Sequence, residues 1–97
     1  MRRPKVKLDN LMAVMTVAAK HNIDHAADEL GLSSSGVRKQ IENIESVFGI
    51  RLFESMKGTL SLTPEGEEFH TDARRAVEQV LLAEEKVFVL VTMECCH

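Results

Sequence analysis

The sequence predicts a mainly α domain carrying a small β-hairpin and one long terminal helix. Only 4% of the residues are aromatic while 44% are hydrophobic, so the core is built from Leu, Ile, Val, Met and Ala, most of which suit helices. Apolar residues recur at helical spacing through most of the chain, and two short segments alternate apolar and polar positions across a turn. The 97 residues suit one domain, and a domain of this size buries proportionally less surface than a larger one.

Residues 1–6 form a basic arm around Pro4 that contains Arg2, Arg3 and Lys5. From Leu8 to Ala19, the apolar positions Leu8, Leu11, Met12, Val14, Met15, Ala18 and Ala19 define one helical stripe. His21 and Asn22 end that helix, and Asn22 is a suitable N-cap for the next. There Ile23, Ala26, Ala27 and Leu30 face inward, and Gly31 takes the left-handed conformation that stops the helix. Ser33 caps a third helix with Val37, Ile41, Ile44 and Phe48 as its core stripe, and Gly49 ends it. "IRLFE" and "TLSLT" read as the strands of a hairpin, with Leu52, Leu60 and Leu62 inward and "SMKG" as the turn.

Thr63-Pro64-Glu65 begins the last helix: Thr as cap, Pro at the first helical position, acids in the first turn. Phe69, Ala73, Ala76, Val80, Ala83, Val87 and Leu90 follow at alternating steps of four and three, a heptad seam widened by Val77, Leu81, Phe88 and Val91. At ~1.5 Å per residue, such a helix reaches on the order of 40 Å, farther than its own domain can cover. The expected cover is a second copy of the chain, giving a homodimer or a higher oligomer, in parallel or antiparallel pairing. The alternative is an amphipathic helix folded back on its own domain. The division expected is therefore residues 1–63 as one unit and 64–97 as linker helix, dimerisation surface and tail.

The formal net charge is −3, but it is unevenly placed. Residues 1–41 hold seven Lys or Arg and four Asp or Glu, a net of +3, while residues 42–97 hold five and eleven, a net of −6. Polyanion binding depends on the local face rather than on the total. The two short helices joined by "GLSS" describe a helix-turn-helix. Small Ala26 and Ala27 allow close crossing and Gly31 allows a tight turn. The second helix presents Ser34, Ser35, Arg38, Lys39 and Glu42 outward. Its N-terminus offers unpaired N–H groups and a positive dipole end, both favourable to phosphate. Ser33, Ser34, Ser35, Arg38 and Lys39 are the expected contacts to double-stranded DNA, with Lys57 at the hairpin tip as a wing contact and the basic arm as a further one.

The run "AADELGLSSSGVRKQIENIESVFGIRLFE", followed by "LSLTPEGEEF", resembles the winged helix-turn-helix domain of LysR-type transcriptional regulators over about residues 8–90. The likeness rests on the double Ala before the turn, the "IENIE" end of the recognition helix, the G-x-x-LF entry to the wing and the LT-x-x-G start of the linker helix. The resemblance implies a three-helix core with a hairpin wing, a homodimer paired through linker helices, and binding to a promoter. It also implies a C-terminal effector-sensing domain of periplasmic-binding-protein type, which this chain lacks, so the chain is read as an excised fragment or a free-standing domain.

The sequence departs from the family pattern at several contacts. Ser34, Ser35 and Gly36 stand where Gln-Pro-Ala is common, Arg38 where a phosphate-binding Ser is common, and Ser55 where an Arg usually follows the LF pair. The wing retains only Lys57, with Thr59 and Ser61 nearby. Fewer cations imply weaker binding and a smaller salt slope. Gly36, costly by ~1 kcal/mol relative to Ala in a helix, has two readings: close approach to the sugar-phosphate backbone, or simple tolerance.

Other chemistry is expected to be absent. His21 and His25 straddle a helix junction, His70 stands alone, and Cys95-Cys96-His97 is a terminal cluster, so no metal site or other cofactor is predicted. The acids of the last helix, Glu65, Glu67, Glu68, Asp72, Glu84 and Glu85, read as a solvated face. "SSSG" belongs to the helix-turn-helix pattern rather than to a hydrolase elbow, so the expectation is no enzyme and no small-molecule ligand. Adjacent Cys95 and Cys96 suggest no disulfide framework. No segment suits a signal peptide or a membrane span, and a cytoplasmic setting is expected. A reading of a different class is a stand-alone dimerisation or protein-interaction module with weak or lost DNA binding.

Overall fold

The computed structural model describes residues 3–95, with side chains described as far as Leu90. The elements run α1 (Leu8–Lys20), α2 (Ile23–Leu30), α3 (Ser34–Phe48), β1 (Phe53–Met56), β2 (Thr59–Leu62) and α4 (Pro64–Cys95). Arg2 of the basic arm, the Val91 side chain and the Cys95-Cys96-His97 cluster lie outside the described residues and side chains. Among the described residues, no helix is long and apolar enough to cross a membrane.

The helix ends follow local chemistry. The Asn22 side chain accepts from the His25 backbone N–H at 3.0 Å, and the Ser33 Oγ accepts from that of Gly36 at 3.1 Å. Gly31 and Gly49 stop α2 and α3 with φ of 70° and 65°, a region open to glycine at little cost. The Leu32 N–H then donates to the Ala27 carbonyl at 2.9 Å, satisfying a carbonyl that the helix end leaves open.

The buried face of α1 differs from the expected stripe. Asn10, Ala13, Val14 and Val17 are the buried residues, while Leu8 and Ala19 are exposed and Leu11, Met12, Met15 and Ala18 are half-buried. The reason is position: α1 packs against α2, α3 and α4, so small and branched residues occupy the crossings and the longer side chains fill the flanks. Asn10 is only 2% exposed yet fully engaged. Its Oδ1 accepts from the Lys7 N–H at 2.8 Å, and its Nδ2 donates to the side-chain and backbone oxygens of Gln40, the latter at 3.3 Å. Asn10→Ala is expected to cost about 2 kcal/mol by stranding buried polar partners. In a urea titration the midpoint falls with the slope unchanged; an unmoved midpoint overturns this role.

Phe48, expected in the core, is 50% exposed. The last turn of α3 leads out to Gly49, and the core is completed from the strand side by Leu52 and Phe53, 0% and 7% exposed. The antiparallel hairpin pairs Phe53 with Leu62 and Met56 with Thr59. Met56 therefore belongs to the strand and the turn narrows to Lys57-Gly58, with φ of 53° and 78°. Two consecutive positive φ values characterise the two-residue hairpin turn whose twist matches its strands. Next to that turn, β2 is tied to the close of α1: the Leu60 N–H donates to the His21 carbonyl at 3.2 Å, and His21 Nδ1 stands 3.0 Å from the Leu60 carbonyl.

The chain between wing and α4 is tightly tied. The Thr63 N–H donates to the Leu52 carbonyl at 2.9 Å. The Thr63 hydroxyl faces the carbonyls of Arg51 and Leu52 and accepts from the Gly66 N–H at 3.0 Å. A Cβ on Gly66 would lie 2.1 Å from the Leu52 carbonyl oxygen, so the backbones touch where only glycine fits. Glu45 completes the arrangement by accepting from the Leu52 N–H at 2.7 Å. Beyond this point α4 packs on α1 and β2. Phe69 lies half-buried against the core, and Ala73 and Val77 are buried. From Glu78 to Leu90 every side chain is exposed, and the molecule extends 58 Å along its longest axis.

Candidate nucleic-acid interface

The outer surface of α3 is set by what its inner surface buries. Val37, Ile41 and Ile44 face the core, which turns Ser35, Lys39, Glu42 and Ser46, at steps of four, three and four, to the opposite side; all are exposed. Asn43 flanks this line on one side and Arg38 on the other, both exposed. The predicted cations Arg38 and Lys39 are therefore open to solvent.

The three serines divide their work. Ser33 is exposed, spends its oxygen on the cap and lies 3.2 Å from the Ser35 Oγ. Ser34 is half-buried, and its hydroxyl donates to the Asp24 carboxylate, which locks α2 to the start of α3. Ser35 is exposed on the outer line. With the Gly36 N–H used by Ser33, the earlier N–H groups of the first turn still point along the axis toward any bound anion. A Cβ on Gly36 would meet the Ser33 Oγ at 3.2 Å, so glycine there also leaves room for the capping hydroxyl.

Arg38 borders a shallow hollow of about 270 Å³ between α2, α3 and the hairpin, floored by Ile23, Ile41, Phe53 and Leu60. Arg51 stands on the same rim and is exposed. Sequence reasoning passed over Arg51 because it lies thirteen positions after Arg38 and only the fold makes them neighbours. It also passed over Asn43 and Ser46, which extending the α3 periodicity by one turn finds. Lys57 sits exposed at the wing tip, where the turn geometry lifts it away from the hairpin. Arg3 and Lys5 of the arm are exposed. Among the described residues, no group of three or more His, Cys, Asp and Glu side chains gathers in a metal-binding arrangement.

The heptad seam is divided. Phe69 and Ala73 are engaged with their own domain, whereas Ala76, Val80, Ala83, Val87 and Leu90 are exposed, Val80 by 37% and Leu90 by 62%. Leu81 and Phe88 flank them, also exposed.

Residues 8–67 match the family model described as bacterial regulatory helix-turn-helix protein, lysR family. The HTH-type transcriptional regulator CfxR of Cupriavidus necator is 40% identical over 78 residues, covering 80% of this chain and 25% of the relative. The glycine cleavage system transcriptional activator of Escherichia coli is 32% identical over 79 residues, covering 80% of this chain and 26% of the relative. The chain thus spans about a quarter of the length of these curated relatives. Among solved structures, the BenM_DBD/catB site 1 DNA complex superposes with a TM-score of 0.85 at 25% identity, covering 95% of this chain and 99% of that one. The CbnR_DBD–DNA complex gives 0.80 at 26% identity, covering 89% and 99%. With a family model spanning most of its length and the same winged architecture, this chain belongs to the lysR family of bacterial regulatory helix-turn-helix proteins and is a DNA-binding transcriptional regulator domain.

Proposed function

We propose that the chain binds promoter DNA as a homodimer, with α3 in the major groove, the Lys57 tip against an adjoining phosphate, and α4 pairing with its counterpart. Residues 1–63 form the DNA-binding unit and residues 64–97 carry the dimerisation surface. Ser33, Ser35, Arg38 and Lys39 contact DNA, and Ser34 contributes through its backbone N–H. Ala76, Val80, Ala83, Val87 and Leu90 form the seam between copies, and Phe69 and Ala73 hold its upper end against the core. A two-fold dimer reads a partly symmetric site in successive grooves. The setting is the bacterial cytoplasm, where promoter DNA lies.

The observation that supports this most is the exposure of Arg38 and Lys39 on a rigid helix, in a domain that superposes on a DNA complex over 95% of the chain. Arg38→Ala combined with Lys39→Ala is expected to lower duplex affinity at least tenfold at moderate salt. The double-logarithmic salt slope becomes shallower by about 2, one for each lost phosphate contact. Fluorescence anisotropy over a salt series measures both. Unchanged affinity and slope would overturn the assignment of this face. A chain that dimerises yet binds no duplex would instead support the dimerisation-only reading.

A further inference from the structure

One residue on the outer line of α3 has the wrong sign for a surface that meets phosphates. Glu42 is exposed, one turn beyond Arg38 and Lys39. Among the described residues the ion pairs are Lys20–Glu29 at 3.7 Å and Arg74–Glu78 at 3.8 Å, so neither flanking cation holds Glu42. Glu45, three residues on, turns inward and anchors the Leu52 N–H. Glu42 lines the rim of the same hollow as Arg38 and Arg51 but forms an ion pair with neither.

We propose that Glu42 is a specificity-determining residue that accepts a hydrogen bond from the exocyclic amino group of a cytosine, so that each half-site carries a C·G pair opposite the third turn of α3. The proposal rests on the DNA-binding reading given above and names what that site selects. From Ser35 to Glu42 the helix advances on the order of 10 Å at ~1.5 Å per residue, within the ~12 Å width of the major groove. A carboxylate there is repelled by both phosphate strands unless it meets a donor on a base edge. The groove offers two: cytosine N4 and adenine N6. Adenine sets the N7 acceptor beside its amino group, which an acceptor-only carboxylate cannot satisfy, so cytosine is the better partner. Lys39 and Arg38, neutralising phosphates on either side, offset the repulsion that remains.

The test is selection from randomised duplexes by the full chain, by Glu42→Ala and by Glu42→Gln, followed by anisotropy on selected and substituted sites. The wild-type chain is expected to enrich one C·G pair per half-site and to discriminate against its replacement by about tenfold or more, the range of a good base contact. Glu42→Ala loses that preference while its affinity for arbitrary duplex rises, because a repelled charge is gone. Glu42→Gln, whose amide both donates and accepts, moves the preference toward A·T. If Glu42→Ala selects the same bases as wild type and merely binds all duplexes more tightly, the carboxylate is a solvated charge and the proposal is overturned. If the wild-type chain binds no duplex, the DNA reading itself fails and this proposal falls with it, a result distinct from binding that persists without the cytosine preference.

Discussion

Val80→Glu combined with Val87→Glu is expected to leave the winged domain folded and the chain monomeric. The two valines lie one heptad apart on α4, 37% and 59% exposed in the single chain, beyond the last position that its own domain covers. Glu favours helix, so α4 is retained. In a two-fold pair, each substitution sets a carboxylate near its symmetry mate across an apolar seam, and charges without partners are strongly disfavoured there. Affinity for a duplex with two half-sites is expected to fall about 10²- to 10⁴-fold, because the second contact loses its effective concentration. Affinity for a single half-site stays as it was. Sedimentation equilibrium and anisotropy on both duplexes measure the two effects. A variant that still sediments as a dimer removes the seam from the account.

Gly66→Ala carries the second large effect, this time on folding. The added methyl would stand 2.1 Å from the Leu52 carbonyl oxygen, well inside contact, and the obstacle is backbone held by the Thr63 N–H and hydroxyl. Either α4 moves off the core or the base of the wing does. Overpacking of this kind costs about 3 kcal/mol, which for a domain of this size lowers the melting temperature by roughly 12–24 °C. Gly36→Ala is the control: its Cβ would meet a serine hydroxyl at 3.2 Å, a neighbour able to yield, and helix propensity improves by ~1 kcal/mol. Thermal melts by circular dichroism compare the two; equal melting temperatures for Gly66→Ala and wild type would sink the steric argument.

Much of the architecture was legible because short-range chemistry decides it. Asn22, Ser33, Gly31, Gly49 and Thr63-Pro64 mark element ends by capping and turn preferences that act within a few residues, and each stands where its sequence placed it. The buried face of α1 was not legible from apolar spacing, because three neighbouring helices, rather than hydrophobicity alone, select which side is covered. Asn10 is the sharpest instance: it looks like a surface amide until Gln40 of α3 is brought against it. Phe48 shows the reverse, an apolar residue in register with the core at a helix end that has already left it. In the candidate interface, Arg38 and Lys39 were legible from periodicity, since the outer face of a helix is fixed once its inner face is known. Glu42 was legible in the same way, whereas Arg51 was not, and only the fold sets Glu45 on the Leu52 amide.

The tie at Thr63 and Gly66 leaves no slack between the base of the wing and the first turn of α4. In the proposed dimer, each reading head is therefore welded to its own arm, and the clamp between arms is the remaining joint. The pair acts as a calliper: opening or closing the arms by a few degrees at the clamp is magnified toward the heads. The distance between the two grooves read is thereby set by helix packing remote from the DNA.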